Sequence, residues 1–135
     1  MFVSKNKVRM HDTDMAGILY FPRIYRFAHD TLEDFIDSLG FRFNTVFTDW
    51  DYLFVIVHSE ADYYSSLKVG DEIYVELRIT NIGKTSFTIG YEIYKTHDKF
   101  HMGCVKTVHV TVDKIARTKI EIPPRLRHAL EKHLA

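Results

Sequence analysis

The richest concentration of reactive residue types is the run His11-Asp12-Thr13-Asp14-Met15-Ala16-Gly17-Ile18-Leu19-Tyr20-Phe21-Pro22. Two acids, a glycine and the start of a helix fall in one short segment. Acyl transfer calls for these parts: a carboxylate, a backbone free to bend, and aligned amide donors facing a developing oxyanion. The segment also holds more apolar residues than a solvent loop needs. Its bland alternative is a capped turn, in which Asp and Thr side chains bond local amides. A third reading makes His11, Asp12 and Asp14 metal ligands. No further His or Cys cluster supports that, since a metal site takes about three or four ligands.

Other candidates are weaker. His29 and Glu33 lie one helical turn apart, on the face opposite the apolar stripe, where such pairs are usually surface decoration. Gly83-Lys84-Thr85 resembles the end of a phosphate loop, but Arg78 stands where the earlier glycine is required, so a hairpin turn is the better reading. Lys84, Thr85 and Ser86 still offer a cation and hydroxyls that a phosphate group could use. His58 reads as a hydrogen-bonded core histidine, and Cys104 as a buried thiol with nothing nearby to activate it.

The elements that must position the loop are well marked. From Pro22 to Leu39, Ile24, Phe27, Ala28, Leu32, Phe35, Ile36 and Leu39 recur at threes and fours, which predicts one amphipathic helix. Pro22 suits its first turn and Gly40 the left-handed residue that ends it. After a loop from Asn44 to Asp51 the period becomes two. Leu53, Val55 and Val57 alternate with Phe54, Ile56 and His58, a pattern apolar on both faces that predicts a central strand. A turn at Lys68-Val69-Gly70-Asp71 leads to the strand of Ile73, Val75, Leu77 and Ile79. Strands with Phe87, Ile89, Tyr91 and Ile93, and with Val108, Val110 and Val112, follow as an antiparallel meander. The helix is about 27 Å long and the strands about 26 to 34 Å, so they match in one α+β layer arrangement. Pro123 to Leu134 reads as a short surface helix.

The chain has 135 residues, 46% hydrophobic, and fits a single domain over 1–135 with one core. Lys plus Arg and Asp plus Glu number 18 each, so no global field draws in nucleic acid or an anionic membrane. No signal peptide or membrane span is visible, and the one cysteine cannot form an internal disulfide. A soluble cytoplasmic protein is expected.

The loop resembles that of hotdog-fold thioesterases of the 4-hydroxybenzoyl-CoA thioesterase type, whose motif reads Asp-x-Asp-x-x-Gly followed by a Tyr or Trp pair. Asp12, Asp14, Gly17 and Tyr20 match it, with Pro22 at the right offset, and the likeness extends from about Lys7 to about Ile122. It implies a hotdog fold, an antiparallel sheet wrapped around the long helix, and hydrolysis of acyl-CoA thioesters without metal or cofactor. It further implies that Asp14 is the catalytic carboxylate, that Asp12 is structural, and that the Phe21 backbone amide is the oxyanion donor. Nucleotide contacts are implied near Lys84, Thr85 and Ser86.

Asp14 could attack the carbonyl or deprotonate a water. An aspartate at its ordinary pKa is ionised at pH 7, which favours attack. Phe21 departs from relatives with His or Tyr there, so it offers only its amide and ring. That turns the reading toward aromatic acyl groups, including 1,4-dihydroxy-2-naphthoyl-CoA. Another branch of hotdog enzymes uses a helix glutamate, which makes Glu33, with His29, the reserve candidate. The resemblance also implies pockets built between subunits, as a homodimer or dimer of dimers. The strand from Glu72 to Thr80 is the expected pairing edge. Rival functions are an acyl-thioester hydratase or dehydratase, and a non-catalytic module binding acyl-CoA or acyl-carrier protein.

Overall fold

The computed structural model describes residues 1–42 and 50–134. The loop expected from Asn44 to Asp51 therefore falls outside the described residues as far as Asp49. Five strands form one antiparallel sheet: β1 (Phe2–Lys7), β2 (Tyr52–Tyr63), β3 (Glu72–Ile82), β4 (Ser86–Lys95) and β5 (His101–Asp113). Their order across the sheet is β1-β3-β4-β5-β2.

The long helix α1 spans Ile24–Ser38, after a 3-10 turn over Phe21–Arg23. The predicted start at Pro22 thus falls in that tighter turn, where proline's missing donor costs nothing. Gly40, at φ +86°, ends the helix as expected. The helix buries Ile24, Phe27, Ala28, Leu32, Phe35 and Ile36 against alternate residues of β3 and β4, from Ile73 through Ile79 and Phe87 through Ile93. Each of these side chains other than Ala28 contributes roughly 1.5–3 kcal/mol by leaving water. Truncating the fully buried Phe35 to Ala would cost about 3–5 kcal/mol. Helix α2 (Pro124–Glu131) is more than surface cover, because Leu126 and Leu130 are fully buried and Arg127 donates to the Gly83 carbonyl at 2.6 Å.

Two expectations about the sheet are corrected. β2 is an edge strand, not a central one: it crosses to the far side of β5, so the run from β2 to β5 is no simple meander. Its two apolar faces misled because Val55 to Glu60 is exposed throughout, with Ile56 at 41% and Val57 at 58%. β3 lies between β1 and β4, so the strand from Glu72 to Thr80 is paired on both sides, and the sheet's edges are the short β1 and the long β2. Among the described residues, no helix is long and apolar enough to cross a membrane.

Candidate active site

The loop after β1 is a compact, self-bonded structure. Met10–Asp12 forms a 3-10 turn, and Thr13 bridges Leu19 so that Asp14 to Ile18 closes a small hairpin. Within it the Asp14 amide donates to the Ile18 carbonyl at 2.9 Å and the Gly17 amide to the Asp14 carbonyl at 3.0 Å. Gly17 sits at φ +79°, a conformation that costs other residues strain. The hairpin is fastened to the strand entry at 67–69. There the Leu19 amide donates to Leu67 and the Val69 amide to Gly17, at 2.8 and 3.2 Å.

Asp12 holds this loop to the head of α1. Its carboxylate is fully buried and accepts from Arg26 Nε at 2.7 Å, Arg23 Nε at 3.1 Å and the Arg9 amide at 2.9 Å. Its carbonyl accepts from the Tyr20 amide at 2.9 Å. Burial alone would raise this carboxyl. The bonds from Arg26 and the Arg9 amide, with the Arg26 charge and Arg23, outweigh it and hold the group down at about 2. Both Asp12 oxygens thus answer guanidinium groups, which leaves little for a metal set with His11, 3.4 Å away.

Asp14 is exposed at the hairpin tip, and its Oδ1 accepts from the Ala16 amide at 2.8 Å. It does not line the neighbouring cleft of about 400 Å³, whose walls include Ile18, Leu19, Phe21, Tyr63 and Tyr64. Phe21 opens the 3-10 turn, where the first amides have no helical carbonyl to reach. Its own carbonyl accepts from Tyr63 Oη at 2.7 Å, tying the end of β2 to the helix head. Tyr20, Phe21 and Pro22 stand beside one another there, with the Tyr20 and Phe21 rings edge to face at 5.4 Å. Gly103 permits this approach: a Cβ there would sit 2.6 Å from the Asp62 carbonyl oxygen.

The remaining candidates lie elsewhere in the chain. His29 and Glu33 are exposed, outside the packed stripe of α1 as expected. They line a second cavity of about 390 Å³ with Leu32, Phe54, Ile56 and His109. Lys84, Thr85 and Ser86 occupy the β3–β4 hairpin, closed by the Gly83 amide on Ser86 at 2.7 Å. The 11 residues of β3, about 37 Å of strand, separate that hairpin from the Asp14 loop in the same chain. Lys84 pairs with exposed Glu121 at 3.4 Å.

His58 is corrected from core to surface: it is exposed, and its Nε2 lies 2.9 Å from Glu60 Oε1. Cys104 is half-buried rather than buried, its thiol 3.3 Å from Tyr64 Oη.

Sequence reasoning missed Arg23, Arg26, Tyr63 and His109. Two cations in the first turns of a helix oppose its dipole, and that was the available signal of a buried partner acid. No comparable signal marks His109, whose role depends on strand order.

The comparisons bear on the family and the fold. The chain matches the model of the thioesterase-like superfamily over residues 8–130. It is 30% identical over 125 residues to a 1,4-dihydroxy-2-naphthoyl-CoA hydrolase of Synechococcus elongatus, covering 92% of this chain and 90% of that protein. It is 31% identical to the corresponding hydrolase of Nostoc punctiforme, covering 96% and 86%. A 1,4-dihydroxy-2-naphthoyl-CoA thioesterase structure from Synechocystis superposes with a TM-score of 0.88 at 26% identity, covering 96% and 94%. The five-stranded sheet with its long helix is the hotdog fold, in the class of thioester hydrolases. Within that class the chain belongs to the thioesterase-like superfamily.

Proposed function

We propose that the chain hydrolyses acyl-CoA thioesters to free acid and coenzyme A, with Asp14 as the acting carboxylate and the Phe21 amide as oxyanion donor. The observation that carries this reading is the Asp12 bracket. One buried carboxylate bonds both the loop bearing Asp14 and the turns that follow Phe21, which supports a fixed spacing between acid and donor. Asp14 uses one oxygen locally and keeps lone pairs for attack on the carbonyl or for deprotonating a water. Attack is the favoured route: it displaces the coenzyme thiolate and leaves an anhydride for water to cleave. Losing an oxyanion donor typically costs about a hundredfold or more in rate, so the helix head is a major contributor.

The site is completed by a second copy of the chain. β2 leaves a twelve-residue edge, about 40 Å long and exposed on both faces at its centre, which an identical strand can pair. Antiparallel pairing about an axis normal to the sheet keeps both helices on one side. It sets the Tyr63 end of one β2 beside the Phe54 end of the other. The cleft at Phe21 then adjoins the partner's cavity lined by His29 and Glu33. The hairpin of Lys84, Thr85 and Ser86 lies toward that same end, since Phe87 pairs with His109. In this arrangement Gly17, Tyr20 and Pro22 shape the entrance, and the Lys84 hairpin receives the coenzyme phosphates. The weak exposed pair with Glu121 is readily exchanged for them. Dimers, singly or paired, are the functional unit, and unpaired Cys104 favours the cytoplasm.

The hydrolases named for 1,4-dihydroxy-2-naphthoyl-CoA make aromatic thioesters the first substrates to test. A thiol-release screen over short, long and aromatic acyl-CoAs is expected to give release, strongest with aromatic groups. Double-bond absorbance without thiol would indicate a hydratase instead, and tight binding without turnover would indicate a binding module.

A further inference from the structure

Among the described residues, one buried side-chain polar atom has no hydrogen-bond partner: Nδ1 of His109. The ring is 1% exposed, stacked on Phe87 at 5.1 Å and edge-on to Phe54 at 5.7 Å, and it forms part of the wall of the cavity beside His29 and Glu33. Stranding a buried polar atom is unfavourable, and an apolar side chain of similar shape would avoid that.

The neighbouring bonds define what Nδ1 can do. Thr107 Oγ1 lies 2.8 Å from His109 Nε2, so a proton on Nε2 finds an acceptor there, whereas a proton on Nδ1 would be stranded. With the proton on Nε2, Nδ1 presents a lone pair. Burial, and next the neighbouring His29, hold the ring's pKa down at about 4, so the lone pair is present at neutral pH. Leu32, Phe54 and Ile56 supply the apolar part of the wall, and Asp30 joins His29 and Glu33 in its polar part. Its volume, about 390 Å³, falls in the range of small-molecule sites, roughly 300–1,000 Å³.

We propose that His109 is a specificity-determining residue: the cavity holds the planar acyl group of the thioester, and His109 Nδ1 accepts a hydrogen bond from a hydroxyl on its ring. The proposal rests on the two-copy thioesterase site above, in which this cavity adjoins the partner's Phe21. Nδ1 is buried and the Phe54 ring stands edge-on to His109 in the same wall, so the proposed bond requires the entering ring to shift that side chain. A satisfied acceptor is worth about 0.5–1.5 kcal/mol, which predicts up to about a tenfold preference for the hydroxylated ring.

The test compares 4-hydroxy-2-naphthoyl-CoA with 2-naphthoyl-CoA, by kcat/KM from thiol release, in wild type, His109→Phe and His109→Gln. Binding of the two free naphthoic acids is measured in parallel by calorimetry. Wild type is expected to favour the hydroxylated member about tenfold in both measurements. His109→Phe brings both ratios to near one, and His109→Gln, which keeps an acceptor, restores part of them. A purely structural role moves both members equally, so unchanged ratios in His109→Phe, or equal losses on both members, overturn the proposal. Failure of the thioesterase reading looks different: wild type releases no thiol from any acyl-CoA, while the binding ratios still decide His109.

Discussion

Arg26 Nε donates to Asp12 Oδ1 at 2.7 Å, and this contact fastens the loop of Asp14 to the first turns of α1. Arg26 also reaches Asp30 at 2.8 Å and the Lys7 carbonyl at 2.9 Å, so β1, the loop and the helix share one cation.

Asp12→Asn should therefore destabilise the fold at neutral pH. The folded carboxyl, at about 2, lies below its ordinary value of 3.8, so its contribution is complete above pH 4 and is lost as pH falls toward 2. The shift corresponds to about 2 kcal/mol. Denaturant titrations at pH 7 and pH 2.5 should show wild type ahead of the variant by about that amount at pH 7, with the gap largely closed at pH 2.5. A gap independent of pH would contradict the ion-pair account.

Tyr63→Phe removes the hydroxyl that donates to the Phe21 carbonyl at 2.7 Å. That bond is worth about 0.5–1.5 kcal/mol, so kcat should fall up to about tenfold while the melting temperature moves little. Steady-state kinetics checks this, and an unchanged kcat would mean that the helix head holds its place without the end of β2.

Val55→Lys combined with Val57→Lys puts charge on the open edge of β2, where the two side chains are 37% and 58% exposed. Edge lysines oppose strand pairing. Light scattering should report monomers, and thiol release should fall with them, while monomer stability stays within about 0.5 kcal/mol per substitution. Active monomers would rule out a site shared by two chains.

His109 gives a second pH signature. Its folded value, about 4, is below the ordinary 6.5, because burial and then nearby His29 disfavour the cation. The unfolded chain takes up this proton first, so stability is full above pH 6.5 and declines as pH falls toward 4. The loss amounts to about 3 kcal/mol. His109→Phe should lose correspondingly less than wild type between pH 7 and pH 4.5 in denaturant titrations. Parallel losses would mean that the ring is charged, or hydrated, in the fold.

The helix was legible because its period is local: Ile24, Phe27, Ala28 and Leu32 announce one face without reference to anything distant. The strand segments were legible for the same reason, but their order was not. Leu53 to Val57 is apolar on both faces, which suits a central strand or an edge awaiting a partner, and a single chain's pattern does not separate the two. The motif loop stood out by its residue types. The residues that brace it did not, because Arg23 and Arg26 acquire their meaning from Asp12 across a turn, and Tyr63 from Phe21 across 42 positions. His109 reads as one more alternate residue of β5 until Phe54, Phe87 and the flank of α1 close around it.

The central claim is that the Asp14 carboxylate carries the chemistry. Asp14→Asn preserves the described bond, since an asparagine oxygen can accept from the Ala16 amide as the carboxylate does. The decisive measurement is the single-turnover rate of thiol release from an aromatic acyl-CoA by wild type and Asp14→Asn, with melting temperatures taken alongside. With Asp14 as the acting carboxylate, the two melting temperatures match and the variant's rate falls by at least about a hundredfold. Equal rates from two equally folded proteins would contradict that role.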